Sequence, residues 1–369
     1  MLHDISKDRS LGALTAAIGA EAADRDRDGH FPSTAFAFLD QLGLIARAPV
    51  EDRDADRLFR LLAAIGRGDL SVGRIFEGHL NALFLARKFG TEGQRERFEA
   101  LAARGNIFGV WNTDLPGEAV TLEGTRLSGK KSFASGADGI SHAVITAAQQ
   151  KGRVMTVVPI MGCPIDRSWW HPLGMRASGS HVVDFTGVIV EPDAILGKHD
   201  DYIREPWFSA GALRFAAVHV GGMHAVFAAA LAHLRTARRL KDPYQRQRIG
   251  RMGIAVEAGY AWLDRGAKAW RQASGKAGAR QTAEGIVAVA NASRLAIENH
   301  ALTVLEEAER GVGAAGFIAP HPLERLVRDL RTYLRQPNPD GALASLGSAI
   351  ADGDWAPGDD FGVQRHERA

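Results

Sequence analysis

The chain has 369 residues, 46% hydrophobic and 24% charged, an ordinary balance for a globular protein and too apolar for a disordered one. Lys plus Arg (45) nearly matches Asp plus Glu (43), and a net charge of +2 points to neither nucleic acid nor a membrane surface as partner. A single cysteine, Cys163, excludes an internal disulfide framework and suits a reducing compartment.

The N-terminal "MLHDISKDRS" has no apolar core, so no signal peptide is expected and the cytoplasm is the expected location. Residues 1–103 read as a helical domain. "LGALTAAIGAEAADRDR" is stopped by the breaker "GHFPS", and "TAFAFLDQLGLIAR" resumes the helical period. "DADRLFRLLAAIGRGD" and "SVGRIFEGHLNALFLARKFG" follow; in the second, Val72, Ile75, Phe76, His79, Leu80, Leu83 and Phe84 share one face.

The character changes near Gly105, and residues 104–198 read as a small β-domain. "TLEGTRLSGKKSFASGA", "HAVITAA", "RVMTVVPIM" and "HVVDFTGVIV" are its strand candidates. A Gly- and Ser-rich turn around Arg176 precedes the last of them. Such a turn either serves the strand entry or lets backbone approach a ligand closely.

Residues 199–350 return to helix, at about 208–238, 243–274, 280–309 and 321–335, Ala-rich as suits a four-helix bundle. The apolar run "FAAVHVGGMHAVFAAALAHL" is broken by His219, His224 and His233 and preceded by Arg214. It reads as a buried helix rather than a membrane span. Residues 351–369 lack periodicity and are expected to be a mobile tail.

In this order, four stretches carry a resemblance: "GHFPSTAFAFLDQLGL" (29–44), "GTRLSGKKSFASGADGISHAVITA" (124–147), "GMRASGSHVVDFTGVIVEPDAILG" (174–197) and "GVGAAGFIAPHPLERLVRDLR" (311–331). Together they resemble the acyl-CoA dehydrogenase superfamily over residues 28–337. The resemblance implies an α+β, mainly α fold, with an N-terminal helical domain, a central β-domain and a C-terminal four-helix bundle. It also implies a flavin between the β-domain and the bundle, FAD with FMN as the other candidate.

"FGVWNTD" stands where the family's first β-domain strand meets the flavin. Trp111, Asn112 and Thr113 are therefore cofactor-binding candidates, the last two because their amide and hydroxyl suit the pyrimidine edge. Phe133 would pack along the ring and Ser135 near its reactive edge, while Arg176, Ser178, Ser180, Arg214 and Tyr333 would border the substrate cavity. Each has a plainer alternative in strand ends, turns and core.

Two departures follow. The family's carboxylate base is missing: its C-terminal position is Pro337 and its alternative position, before Arg214, is Leu213. Asp340 and Glu205 lie nearby but match no motif. The Arg-x-x-Phe-Gly segment for the FAD pyrophosphate is also absent, leaving Arg246, with Arg238, Arg239 and Arg248, as candidates for a phosphate or as ordinary solvated charges.

The branch of the superfamily without the base is that of the flavin monooxygenases of dibenzothiophene monooxygenase type, which react reduced flavin with O₂. His79 and Ser135 are similar to that branch's catalytic His and strand Ser/Thr; its C-terminal His is not matched, Tyr333 and Gln336 standing there instead. The favoured expectation is a monooxygenase acting on a small organic substrate, with no metal. It would be served by a separate flavin reductase or an electron-transfer flavoprotein and assembled as a homo-oligomer, dimer or tetramer. The alternatives are a desaturase with a displaced base and a non-enzymatic ligand- or partner-binding paralogue.

Overall fold

The computed structural model describes residues 8–49, 52–275 and 280–358. Seven helices come first: α1 (Asp8–Gly19), α2 (Ala22–Asp28), α3 (Ser33–Gln41), α4 (Leu44–Arg47), α5 (Ala55–Gly68), α6 (Leu70–Phe89) and α7 (Glu92–Ala102). Asp69 starts α6 by accepting the backbone N–H groups of Ser71 and Val72, two donors that the first turn would otherwise orphan. The same buried carboxylate takes the Arg25 guanidinium at 3.0 Å, which ties α2 to that helix start.

Nine strands follow: β1 (Phe108–Trp111), β2 (Thr121–Glu123), β3 (Arg126–Ser128), β4 (Lys130–Ala134), β5 (His142–Gln149), β6 (Gly152–Pro159), β7 (Ile165–Asp166), β8 (His181–Asp184) and β9 (Ile195–Leu196). The larger sheet runs β3-β2-β5-β6-β9, with β1 parallel to β5 and Trp111 opposite Ile145; the smaller runs β4-β8-β7. Strand β5 is buried along its centre, as its apolar run requires.

The expected strand over 181–190 is cut short. Asp184 Oδ1 accepts the Thr186 N–H at 2.8 Å, and Gly187 turns the chain at φ +89, so only Ile189 returns, in a bridge with Arg126. A side chain capping its own turn outcompeted the ladder.

Six helices close the chain: α8 (Trp207–Ala210), α9 (Ala212–Thr236), α10 (Pro243–Gly275), α11 (Arg280–Val312), α12 (Pro322–Tyr333) and α13 (Pro339–Ala351), the last unforeseen from the sequence. The span 207–236 is long and apolar enough to cross a membrane, but α9 lies within the protein, against α5, α10, α11 and α12. It approaches α5 through glycines: a Cβ on Gly221 would lie 2.1 Å from the Ala63 carbonyl oxygen, so only hydrogen allows this spacing.

The tail is not loose throughout. Trp355 is buried and its backbone N–H donates to the Ala349 carbonyl at 3.0 Å; residues 359–369 lie outside the described residues.

Candidate active site

Strand β4 is irregular in its pairing with β8 between Lys131 and Ala134, and Phe133 takes φ +52, costly for a residue with a Cβ. The result is a ring left 53% exposed. Trp169 meets it edge-on at 4.8 Å and Trp170 at 6.3 Å, while the Trp170 indole donates to the Arg176 carbonyl. Exposed Thr113 lies beside this face, because its carbonyl accepts the Ser132 N–H at 3.0 Å.

Half-buried Asn112 is held by Thr146, whose hydroxyl donates to its Oδ1 at 2.7 Å, and by Lys131, whose ammonium donates to its carbonyl at 3.0 Å. Lys131 is fully buried, and burial lowers its pKa despite the Asp114 carboxylate at 2.6 Å. The arrangement is an open aromatic plane flanked by a braced polar strand end, which could hold a flat cofactor. Sequence reading missed Lys131, Trp169 and Trp170; the pair "SWW" was the signal, in a region with no expected element.

Trp111 does not belong to that plane. It is 2% exposed, and its indole N–H donates inward to the Ser135 carbonyl at 3.1 Å, so it braces β1 against β4.

Ser135, Ser178 and Ser180 do come together. Their hydroxyls form a buried chain, Ser135 to Ser180 at 2.8 Å and Ser180 to Ser178 at 2.9 Å, that fastens β4 to the 174–180 turn. The turn itself docks on α12. Asp329 accepts the Met175 N–H at 2.6 Å and the Thr332 hydroxyl the Gly174 N–H at 3.1 Å; a Cβ on Gly174 would lie 2.3 Å from the Arg328 carbonyl. Burial raises the Asp329 carboxyl to about 6, against the pull of Arg325. Arg176, in the same turn, is exposed and does not join the buried serines.

His79, the expected catalytic histidine, lies away from that plane, bonded to backbone on both sides. Its Nε2 sits 2.9 Å from the Ile45 carbonyl and its Nδ1 accepts the Phe108 N–H at 3.1 Å. An acceptor on one side and a donor on the other fix the neutral tautomer with the proton on Nε2. The ring is fully buried, flanked by Phe76 and Phe108, and burial pushes its pKa down to about 4 although the Ile45 carbonyl opposes this. Protonating Nδ1 would set two N–H groups against each other, so this geometry favours the neutral ring. It is a brace between α6, α4 and β1.

The other polar side chains of α6 form a cluster the sequence did not announce. Glu77 accepts from Arg74 Nη1 at 2.7 Å and lies 3.7 Å from Arg214 Nε on α9, whose Nη2 donates to Asn81 at 2.6 Å. Arg214 is buried and its guanidinium stands 5.0 Å over the Phe84 ring. Tyr333, at the end of α12, is 4% exposed, and its hydroxyl has no hydrogen-bond partner. Burial is the main reason that hydroxyl's pKa lies well above the ordinary tyrosine value, and Tyr202 beside the same charges is raised to about 12 for the same reason.

His219 crosses the Tyr333 ring edge-on at 4.6 Å and approaches its carbonyl at 3.2 Å, with its pKa pushed down to about 3 by burial. Arg74 and Glu77 could have been suspected from "GRIFEGH", where two charges interrupt an otherwise apolar helix.

Neither inherited base position carries a carboxylate. Leu213 is buried core, and the Pro337 carbonyl accepts from Arg294. Glu205 is exposed and caps the Ser209 N–H, and Asp340 is exposed. Arg238, Arg239 and Arg246 are exposed at the α9–α10 turn; α10 packs on α5, α9 and α11, so Arg246 does not join the Phe133 face within one subunit. Among the described residues, no three His, Cys, Asp or Glu side chains converge as a metal site.

Residues 201–334 match the family described as acyl-CoA dehydrogenase, C-terminal domain. L-evernosamine nitrososynthase of a Micromonospora species is 28% identical over 87% of this chain and 83% of its own. Dibenzothiophene monooxygenase of Rhodococcus erythropolis is 24% identical over 91% of each. The FMN-bound crystal structure of TdsC from Paenibacillus sp. A11-2 superposes with a TM-score of 0.83, covering 93% of this chain and 96% of that one at 17% identity.

Proposed function

We propose that the chain is a flavin-dependent oxidoreductase of the acyl-CoA dehydrogenase superfamily, in the branch of its flavin-dependent monooxygenases, and that it inserts one oxygen atom of O₂ into a small organic substrate. The observation that carries this reading is a conjunction: an open aromatic plane lies beside a braced polar strand end, and neither position of the family's base carries a carboxylate. Desaturation needs a carboxylate at one of those positions to take a proton from carbon; oxygen insertion does not.

A bound reduced flavin supplies two electrons to O₂, one oxygen atom going to the substrate and the other leaving as water. Phe133, Trp169 and Trp170 would hold the ring plane, with Asn112 and Thr113 at its pyrimidine edge. Ser135 presents a hydroxyl whose orientation is set by Ser180 and Ser178 behind it. The 174–180 turn, clamped on α12, closes this side of the site to water. The polar cluster of α6, α9 and α12 would receive the substrate.

We take FMN as the flavin. The similar TdsC was solved with FMN, and the arginines that a longer diphosphate would need are exposed at the α9–α10 turn. A separate flavin reductase would deliver it reduced. Exposed Tyr244 and Ile254 on α10 and Phe317 and Ile318 before α12 suit burial against a second subunit.

The test is rapid mixing of the protein, loaded with reduced FMN, with oxygenated buffer. The expected trace shows a transient absorbing species between reduced and oxidised flavin, shortened in Ser135→Ala. Direct return to oxidised flavin, with no intermediate phase, would sink the reading.

A further inference from the structure

Lys131 reaches from β4 toward β5 and is fully buried, yet every hydrogen of its ammonium has an acceptor. The three are the Asn112 carbonyl at 3.0 Å, Asp114 Oδ1 at 2.6 Å and the Thr146 hydroxyl at 3.1 Å. An ammonium donates three hydrogens and accepts none, so Thr146 can only accept from it. The single hydrogen of the Thr146 hydroxyl is thereby left for Asn112, 2.7 Å away.

That direction decides which end of the Asn112 amide is which. A hydroxyl hydrogen needs an oxygen to meet, so Oδ1 points at Thr146 and the Nδ2 group points away from the buried lysine. The Asn112 main-chain carbonyl is turned the same way, toward Lys131. Both acceptors of the residue are therefore used inside the β-domain, and the two N–H donors of Nδ2 remain. Among the described residues they meet no acceptor, and half-buried Asn112 keeps part of its surface open. An uncharged amine at Lys131 would spend two hydrogens on the Asn112 and Asp114 oxygens and take the Thr146 hydrogen on its lone pair, freeing the amide to turn round.

We propose that Lys131 and Thr146 are positioning residues for the flavin: they hold Asn112 so that it offers donors, not acceptors, to the pyrimidine edge of the cofactor. The inference rests on the reading that flavin lies on the Phe133 face, which Asn112 reaches through its neighbour Thr113, whose carbonyl accepts the Ser132 N–H. Along that edge N1 and the C2 and C4 carbonyls accept, and only N3 donates. Reduction places negative charge on N1 and the C2 carbonyl, so donors there hold the reduced form more tightly than the oxidised one. Such a bias serves a protein that takes up flavin already reduced and gives it up oxidised.

The experiment is anaerobic titration of the protein with FMN, oxidised and separately reduced with dithionite, followed by absorbance. The unmodified protein is expected to bind the reduced form at least about tenfold tighter, equivalent to raising the two-electron potential of the flavin by about 30 mV. Thr146→Val, which keeps the shape and removes the hydroxyl, should weaken the reduced form at least about fivefold more than the oxidised one. Thr146→Ser, which keeps the hydroxyl, should restore most of the difference. Lys131→Met should act as Thr146→Val does.

Equal affinities for the two forms in the unmodified protein would overturn the proposal. So would a difference that survives Thr146→Val, or one that Thr146→Ser loses as completely, which would mark the threonine as packing alone. If Lys131→Met does not fold, the two Thr146 variants decide. An unmodified protein that binds neither form overturns the flavin reading and this inference together. A preference for reduced FMN that depends on Thr146, without a transient in the oxygen experiment, keeps the positioning and removes oxygen insertion. The reverse pair of results keeps oxygen insertion and removes the positioning.

Discussion

One face of α6 carries His79 against β1, and another carries Arg74 and Glu77 toward α9 and α12. On the first, both ring nitrogens are satisfied by backbone, at 2.9 and 3.1 Å, and nothing is left over for a ligand. On the second, the guanidinium is only partly used, and the tyrosine hydroxyl facing the same charges is not used at all. His79 is fully buried, whereas the Arg74 side chain keeps a quarter of its surface open. What separates the two faces is the unfilled hydrogen-bonding capacity of each group.

The sharpest way to break this comparison is His79→Ala. Removing the ring empties the space between Phe76 and Phe108 and strands the Phe108 N–H and Ile45 carbonyl, so urea unfolding should show a loss of roughly 3–5 kcal/mol. A variant as stable as the unmodified protein would show that the ring does not brace the two elements.

Acid provides the next test. In the unfolded chain these histidines take up a proton near 6.5, whereas in the native state His79 stays neutral down to about 4 and His219 down to about 3. Between those values the unfolded state binds more protons, so stability is full above pH 6.5 and is lost as pH falls toward 4. The loss should be roughly 2–3 kcal/mol for each ring. Because Asp329, raised to about 6, contributes with the opposite sign over the same range, the check is an NMR titration of the imidazoles in the native protein, and rings that protonate above pH 5 would overturn it.

A smaller effect is expected at the turn that closes the site. Gly174→Ala puts a methyl group against the Arg328 carbonyl and should cost about 1–3 kcal/mol by overpacking, read as a lowered melting temperature. The smallest belongs to Tyr333→Phe. Its hydroxyl has no partner to lose, so stability should change by less than about 1 kcal/mol in either direction. A larger loss would mean that the hydroxyl is bonded in the folded protein.

Legibility followed the range of the forces involved. Asp69 before α6 and the apolar run of β5 declare their elements locally, because capping and periodicity act over a few residues. The strand expected over 181–190 failed where the Asp184 side chain competed with the ladder. Phe133 was foreseen as a residue near a ring, but not the irregularity of β4 that leaves it exposed, nor its neighbours Trp169 and Trp170. The sequence left two readings of His79 open, because an apolar helix face reads the same whether its histidine serves a ligand or two backbone groups.

The order of helices, strands and helices, the absence of a carboxylate at positions 213 and 337, and the resemblance to the acyl-CoA dehydrogenase superfamily and its oxygen-using branch were all legible along the chain. These depend on composition, spacing and motif order, all carried along the chain. Packing alone put the His79 ring between two backbone groups, turned Trp111 inward and brought Arg74, Glu77 and Arg214 together. Arg74 and Arg214 lie on different helices, 140 positions apart in the 369-residue chain, so no local pattern could announce their meeting.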